Sequence, residues 1–304
     1  MQRQWWQRHM QNLTGNMKKF FIITNEHKDE NLEVTHIISD YIEGKGGVCS
    51  HYVSTKSNWS QRNLRRFEAS DVDADCIIVL GGDGTLVRAA RDLAVMGIPL
   101  IGVNLGTLGY LCELERSTVL DAIDRLFEGR YEVENRMLIE GRIAVGENVE
   151  KATHALNDIV IHRSGVPQIV NLIISVNGEY LATYSADGII LSTPTGSTGY
   201  SMSAGGPIVD PKADLILITP INPHAVNYSK SIVVGSDAQI EVTLGERRQE
   251  CDEEAEVSFD GDRFVKMKVG DKILVKKADE YAKILKLNRV SFLQILRKKM
   301  QENR

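Results

Sequence analysis

Between residues 18 and 136, runs of consecutive apolar residues alternate with stretches in which apolar residues return every three or four positions. Phe20 to Thr24, Val48 to Val53, Asp75 to Leu80 and Leu100 to Asn104 show the first pattern and predict buried strands. Three stretches show the second pattern and predict helices: Asn31 to Glu43 (through Leu32, Ile37, Ile38, Tyr41 and Ile42), Leu86 to Met96, and Thr118 to Phe127. Asn58 to Asp73 is polar and charged and predicts a surface loop or short helix. Strand–helix alternation of this kind implies a parallel sheet covered on both faces, with ligands at the carboxyl ends of its strands.

After Arg136 the texture changes to short alternating runs: Leu138 to Val145, His154 to His162, Ile169 to Val176, Tyr180 to Tyr184 and Gly188 to Ser192. Leu215 to Thr219, Ser231 to Val234, Ala238 to Leu244, Ala255 to Phe259, Phe264 to Lys268 and Lys272 to Lys276 continue the series. Asn177-Gly178 between two such runs suits a type I′ hairpin turn. The pattern predicts a second, β-rich domain built as a sandwich or stacked sheets. Ser291 to Lys299 predicts a closing helix with Ser291 as its cap. The expected division is a leader at residues 1–16, disordered or foreign to the native chain, then 17–136, 137–286 and 287–304.

Composition changes this picture little. The chain has 304 residues, 42% hydrophobic and 25% charged, which is ordinary for a globular protein. A net charge of −5 argues against a general binder of nucleic acid or anionic membrane. Cys49, Cys76, Cys112 and Cys251 are widely spaced and form no metal-ligand pattern, so reduced thiols in a cytoplasmic protein are expected. No apolar run approaches the roughly 20 residues that span a bilayer. The leader is polar apart from Trp5, Trp6, Met10 and Leu13 and lacks the apolar centre of a secretory signal. Its arginines and lack of acids also fit a very short transit peptide, with Met17 as the structural start.

Two stretches carry candidate chemistry. Gly81-Gly82-Asp83-Gly84-Thr85 lies where the third predicted strand turns into a helix. Bare main-chain N–H groups at a helix N-terminus suit phosphate, and Asp83 puts a carboxylate at the tip. Taken alone, the same five residues equally describe a tight turn with Asp83 capping a helix. The second stretch runs from Asp187 to Pro207 through Ser192-Thr193-Pro194-Thr195-Gly196-Ser197-Thr198-Gly199-Tyr200-Ser201-Met202-Ser203. Hydroxyls and glycines in that density suit phosphate and sugar hydroxyl groups. Asn157-Asp158 offers polar contacts or else a β-bulge or Asx-turn, and His224 lies on a proline-bounded loop where it is either held or merely solvated. There is no GxxxxGK[ST] loop, strand-borne GxGxxG, nucleophile elbow or HExxH.

Together with NLGTLGYL at 104–111 and TPINPH at 219–224, these motifs are similar, in order, to the NAD kinase family over residues 19–296. The glycine loop is shared with phosphofructokinases and with diacylglycerol and sphingosine kinases, whereas the 192–207 block is far more selective. The resemblance implies an N-terminal Rossmann-like α/β domain with a parallel sheet, a C-terminal β-sandwich domain and a final helix returning to the first. It implies transfer of the terminal phosphate of ATP or polyphosphate to the 2′-hydroxyl of the adenosine ribose of NAD, with Mg²⁺ or Mn²⁺ accompanying ATP. Asp83 then matches the general base, and Gly82, Gly84 and Thr85 the phosphate loop. Tyr110 stands where the family usually has phenylalanine beside adenine and ribose. Asn157 and Asp158 match the NAD-contacting pair, usually Asn-Glu, and Asp187 a carboxylate on the nicotinamide side. Thr195, Thr198, Gly199, Tyr200 and Ser203 lie on the matching loop, with Gly199 in place of a common alanine, and His224 matches a histidine near the site. Asp260-Gly261 echoes a later family element, which a hairpin turn explains equally well. No dedicated metal cage is legible, and the implied assembly is a homodimer or homotetramer without nucleic-acid or membrane partners. A lipid or sphingoid-base kinase using the same loop is the alternative enzyme, and a non-catalytic NAD(P) sensor the alternative from another class.

Overall fold

The computed structural model describes residues 15–54, 72–106, 109–145, 148–149, 151–165, 169–224, 230–246, 254–288 and 290–302. Most of the leader, the polar stretch at 55–71, Thr107, Leu108 and Cys251 lie outside the described residues. The chain divides into two units, Met1–Asn135 with Ala282–Arg304, and Arg136–Tyr281.

In the first unit, β1 (Lys19–Asn25), β2 (Val48–Ser54), β3 (Cys76–Gly81) and β4 (Leu100–Asn104) are parallel in the order β2-β1-β3-β4. The short β5 (Leu114–Glu115) pairs with β4. Every residue of β3 and β4 is buried, because helices cover both faces and leave no side for a polar residue. Helix α1 (Glu33–Gly44) buries Val34, Ile38 and Ile42, one residue per turn on a single face. Helix α2 (Asp83–Leu93) buries Leu86, Ala89, Ala90 and Leu93, and α3 (Val119–Phe127) buries Val119, Ala122, Ile123 and Leu126. Each fully buried Ile or Leu in such a core contributes about 1.5–3 kcal/mol.

Two predicted helices begin at other residues. The helix expected from Asn31 begins at Glu33, after a 3₁₀ turn in which Asn31 and Leu32 have φ of 54° and 59°. The buried Asp29 carboxylate sets that start by accepting the Val34 and Thr35 main-chain N–H groups at 2.8 and 3.0 Å and the Thr35 hydroxyl at 2.6 Å. The helix expected from Leu86 to Met96 starts earlier, at Asp83, and ends at Leu93 before a 3₁₀ turn at Ala94–Met96.

The second unit is two sheets. Running in chain order, it contains β6 (Glu132–Val145), β7 (Asn148–Val149), β8 (Thr153–Ala155), β9 (Asp158–Arg163), β10 (Val170–Val176), β11 (Glu179–Ala186) and β12 (Gly188–Ser192). Then come β13 (Leu215–Ile221), β14 (Ile232–Gly235), β15 (Ile240–Gly245), β16 (Glu254–Phe259), β17 (Asp262–Lys268) and β18 (Lys272–Lys286). One sheet includes the order β11-β10-β15-β18, and the other is antiparallel throughout in the order β14-β13-β12-β9-β16-β17. Leu172, Ile174, Val242, Leu244 and Val275 from the first meet Ile159, Ile161, Ile189, Leu191, Ile216, Ile218, Val257 and Phe259 from the second in one core. This is the sandwich expected from the alternating runs. Asn177 (φ 52°) and Gly178 (φ 81°) form the hairpin turn that joins β10 to β11.

The last strand is much longer than Lys272 to Lys276. It runs on to Lys286, passing from the second unit, where Val275 pairs with Ile240, into the first, where Ile284 pairs in parallel with Leu100. Its later residues include Lys277, Asp279, Glu280 and Lys283, which hide the strand pattern, while Ala278, Ala282 and Ile284 carry the buried face. Glu113 then accepts the Leu287 and Asn288 main-chain N–H groups, the former at 3.1 Å, and Arg125 donates to Asn288 Oδ1 at 3.1 Å and to the Leu287 carbonyl. The closing helix is Phe292–Glu302, capped reciprocally by Ser291 and Gln294. No helix among the described residues is long and apolar enough to cross a membrane.

Candidate active site

In the first unit, Gly82 is the N-cap of α2 in extended conformation, and its carbonyl accepts the Thr85 and Leu86 N–H groups. Asp83 is therefore not the cap. Its carboxylate turns away from its own helix towards the segment after β4, accepting N–H donors from Tyr110 (2.5 Å), Leu111 (3.2 Å) and Cys112 (3.0 Å). That approach requires Gly109, since a Cβ there would stand 2.0 Å from Asp83 Oδ1. Thr85 is buried against Gly81, and Gly84 faces open space. Tyr110 is half-buried, and burial with the Asp83 charge pushes the neighbouring Cys112 thiol up from its usual range.

In the second unit, the period of two along β9 decides which residues form a site. Ile159 and Ile161 enter the sandwich core, so Asp158, Val160 and His162 face the other side of the sheet. The same alternation puts Ser258 of β16 there. On this side Val160, Ile190 and Ile221 pack with Ala204, which brings the 194–206 segment back over the sheet. A cavity of about 690 Å³ opens here, and Asn157, Asp158, Asp187, Tyr200, Arg163 and Asn222 are among its lining residues.

The Asn157-Asp158 corner is fixed from two directions. Asp260, at a turn with φ of 53° followed by Gly261 at 66°, accepts N–H donors from Leu156 (3.0 Å), Asn157 (2.7 Å) and Asp158 (3.2 Å). Thr193 donates its hydroxyl to the Leu156 carbonyl at 2.5 Å and its N–H to the Asn157 carbonyl at 2.9 Å. Gly196 lies so close that a Cβ would stand 2.1 Å from the Asn157 oxygen. Thr195 is buried and accepts from Arg136 at 3.4 Å, and Thr198 closes the 3₁₀ turn by donating to the Thr195 carbonyl at 3.3 Å. Gly199 faces Asp158, whose Oδ2 would lie 3.7 Å from an added Cβ. Asp187 is held by Arg163 Nε and by Asn222 Nδ2, each at 3.0 Å.

The structure thus gathers Asn157, Asp158, Asp187 and Tyr200 at one cavity and places Thr195, Thr198 and Gly199 on the loop behind. Ser203 is exposed and does not line the cavity, and His224, also exposed, is tied through its N–H to the Ser185 carbonyl at 2.9 Å. Arg163, Asn222 and Thr193 were not anticipated. Arg163 lies in a run that reads as ordinary strand, whereas Asn222 and Thr193 sit inside the TPINPH and 192–207 motifs with no role of their own assigned, and only the fold reveals each partner.

Burial and the nearby Asp260 charge push the Asp158 carboxyl up to about 7 from the ordinary 3.8. The groups around it are Asp260, His162, Tyr200 and the Arg163–Asp187 pair. Because the folded value lies above the unfolded one, the fold loses stability as pH climbs from about 4 to about 7, and that loss persists above. Asp158→Asn should remove the penalty. Thermal melts should show a gain of about 2–5 °C at pH 8 and almost none at pH 4. An equal shift at both pH values would contradict the burial argument.

Comparison with known proteins points the same way at every level. The profile of the ATP-NAD kinase N-terminal domain matches residues 20–131, and that of the C-terminal domain matches 156–287. The NAD kinase of Agathobacter rectalis is 52% identical over 286 residues, covering 93% of this chain and 99% of that protein. That of Lachnoclostridium phytofermentans is 44% identical over the same proportions. The crystal structure of yeast NADH kinase complexed with NADH superposes with a TM-score of 0.81 at 25% identity, covering 95% of this chain and 89% of that one. An NAD kinase from Archaeoglobus fulgidus in complex with ATP shares the fold, with a TM-score of 0.70 at 23% identity over 93% of this chain and 98% of that one. The chain belongs to the ATP-NAD kinase family and phosphorylates NAD to NADP.

Proposed function

We propose that this chain transfers the terminal phosphate of ATP to the 2′-hydroxyl of the adenosine ribose of NAD, with Asp83 as the general base. The observation that supports the base is the orientation of its carboxylate. It is turned out of its own helix and positioned by three main-chain amides at the end of a bare glycine turn. In the proposed step Asp83 takes the hydroxyl proton as the ribose oxygen attacks the terminal phosphorus. The bond from that phosphorus to the bridging oxygen breaks, and ADP leaves with the electron pair. A ribose hydroxyl is a weak nucleophile at neutral pH, so a positioned base contributes about 10²–10⁴-fold. The rest is in-line positioning and neutralisation of charge.

Gly82, Gly84 and Thr85 shape the turn for the donor phosphates. Asn157, Asp158, Asp187 and Tyr200 take the acceptor's polar groups at the second-unit cavity, and Thr195, Thr198 and Gly199 support them. Tyr110, Ser203 and His224 complete the reading as flanking contacts. Among the described residues no group of three or more His, Cys, Asp or Glu side chains is placed to hold a metal ion. A divalent cation, Mg²⁺ or Mn²⁺, would accompany the donor, since hard cations favour phosphate oxygen. Cys49, Cys76 and Cys112 are free thiols, in keeping with a cytoplasmic enzyme, and the family resemblance adds a homodimer or homotetramer.

The test is a coupled assay in which an NADP-specific dehydrogenase reports product from ATP, Mg²⁺ and NAD. Separate arms replace ATP with polyphosphate, NAD with NADH, and NAD with diacylglycerol. NADP formed from ATP and NAD is the expected result. Phosphorylated lipid with no NADP would overturn the reading.

A further inference from the structure

The turn after β1 brings a cation to the glycine loop that no motif announces. The Asn25 carbonyl accepts the Lys28 N–H at 2.9 Å and the Asp29 N–H at 3.1 Å, and Asn25 Oδ1 accepts the His27 N–H at 3.1 Å. Immediately beyond, the buried Asp29 carboxylate is locked into the first turn of α1. The Lys28 backbone is therefore fixed on both sides. Its side chain reaches across to the β3–α2 turn, where Nζ lies 2.8 Å from the point a Gly82 Cβ would occupy. The same Nζ lies 3.6 Å from the corresponding point at Gly106, on the turn after β4. Asn104 closes that turn by donating to the Gly106 carbonyl at 3.0 Å and accepting its N–H at 3.1 Å. Three chain segments leaving the carboxyl ends of adjacent parallel strands thus meet around one ammonium group.

This ammonium makes no hydrogen bond or ion pair with any described residue. The nearest acid in the turn, Asp83, spends its carboxylate on the Tyr110, Leu111 and Cys112 amides. An ammonium that pairs with no described residue, over a bare glycine turn and beside the N-terminus of the 11-residue α2, offers positive charge and N–H donors to an anion. A phosphate chain supplies the missing charge, and lysine recognises phosphate well as a compact point charge.

We propose that Lys28 is a donor-binding residue whose ammonium pairs with the phosphate chain of the nucleoside triphosphate over the Gly81–Gly84 turn. The proposal rests on the phosphotransfer reading for its substrate and on the first unit alone for its geometry. Removing the charge should weaken donor binding and leave acceptor binding intact.

Three variants test it: Lys28→Ala, Lys28→Arg, and Lys18→Ala as a control with the same change of net charge. Lys28→Ala should raise KM for ATP by about 10- to 100-fold, with KM for NAD within about twofold. Lys28→Arg should recover most of the loss, and Lys18→Ala should match the wild type. Calorimetric titration with magnesium tripolyphosphate gives a readout independent of turnover, and Lys28→Ala should lose that binding by a similar factor. Unchanged KM for ATP and unchanged tripolyphosphate affinity would overturn the proposal, as would equal losses for ATP and NAD. Wild-type protein that binds tripolyphosphate through Lys28 but forms no NADP would overturn the NAD reading and leave the Lys28 assignment standing. Thermal melts of all three variants confirm that the comparison is between folded proteins.

Discussion

Asp83→Asn should lower NADP formation by about 10²- to 10⁴-fold while NAD still binds within about threefold. The carboxylate oxygens accept from Tyr110, Leu111 and Cys112, so the substitution acts at two levels. Asn cannot take a proton from the ribose hydroxyl. It also turns an –NH₂ towards amide donors, which costs part of the loop's support. The two effects separate in the pH profile. Loss of a base leaves a residual turnover that rises with hydroxide concentration, whereas a loosened loop lowers turnover uniformly and lowers the melting temperature with it. Turnover near the wild-type rate would sink the assigned role. Loss of NAD affinity together with several degrees of stability would recast Asp83 as an anchor for the 109–112 segment.

Asp260→Ala should be the most damaging change in the second unit. One carboxylate serves the Leu156, Asn157 and Asp158 main-chain N–H groups, and deleting it leaves three donors without that acceptor. Each costs about 1–3 kcal/mol when buried. The loss is partly offset because the neighbouring Asp158 carboxyl no longer faces a like charge. The net should be about 2–5 kcal/mol, a fall of roughly 6–15 °C in melting temperature. NAD affinity should fall at least about tenfold, since Asn157 and Asp158 lose the contact that aims them. Asp260→Asn, which keeps one acceptor oxygen, should recover part of both effects. A melting temperature within about 2 °C of wild type would show that Asp260 closes a hairpin and nothing more.

Much of the architecture was legible because its signals are local. The continuous apolar runs of β3 and β4, the 3.6-residue spacing of Val34, Ile38 and Ile42, and the Asn177-Gly178 turn each report their structure from a few neighbouring residues. The family resemblance was legible for the same reason, since its motifs are contiguous. Where expectation and structure differ, a distant partner or an ambiguous composition is responsible. The strand that continues from Lys277 to Lys286 is built mostly from charged residues and alanines, which have little strand preference of their own, and pairing at Ile284 supplies what composition lacks. The start of α1 depends on where the Asp29 carboxylate points, which no spacing rule gives.

The candidate site divides in the same way. From sequence alone, Gly81 to Thr85 was a glycine turn with a carboxylate, open equally to capping and to chemistry. The two readings predict the same residues at the same spacing. Only folding brings the Tyr110, Leu111 and Cys112 amides to Asp83, 27 to 29 residues along the chain, and that excludes the cap. The Asp158 carboxyl, ordinary in the sequence, acquires its raised value from burial and from Asp260, 102 residues away. Sequence by itself determined the order of elements, the two-part division of sheet types and the family. Tertiary structure alone decided which polar groups satisfy one another, because hydrogen bonds and like-charge pairs between distant residues depend on strand register and turn geometry. Lys28 shows the limit most plainly: an exposed lysine in a polar turn becomes a candidate phosphate ligand only once β1 and β3 lie side by side.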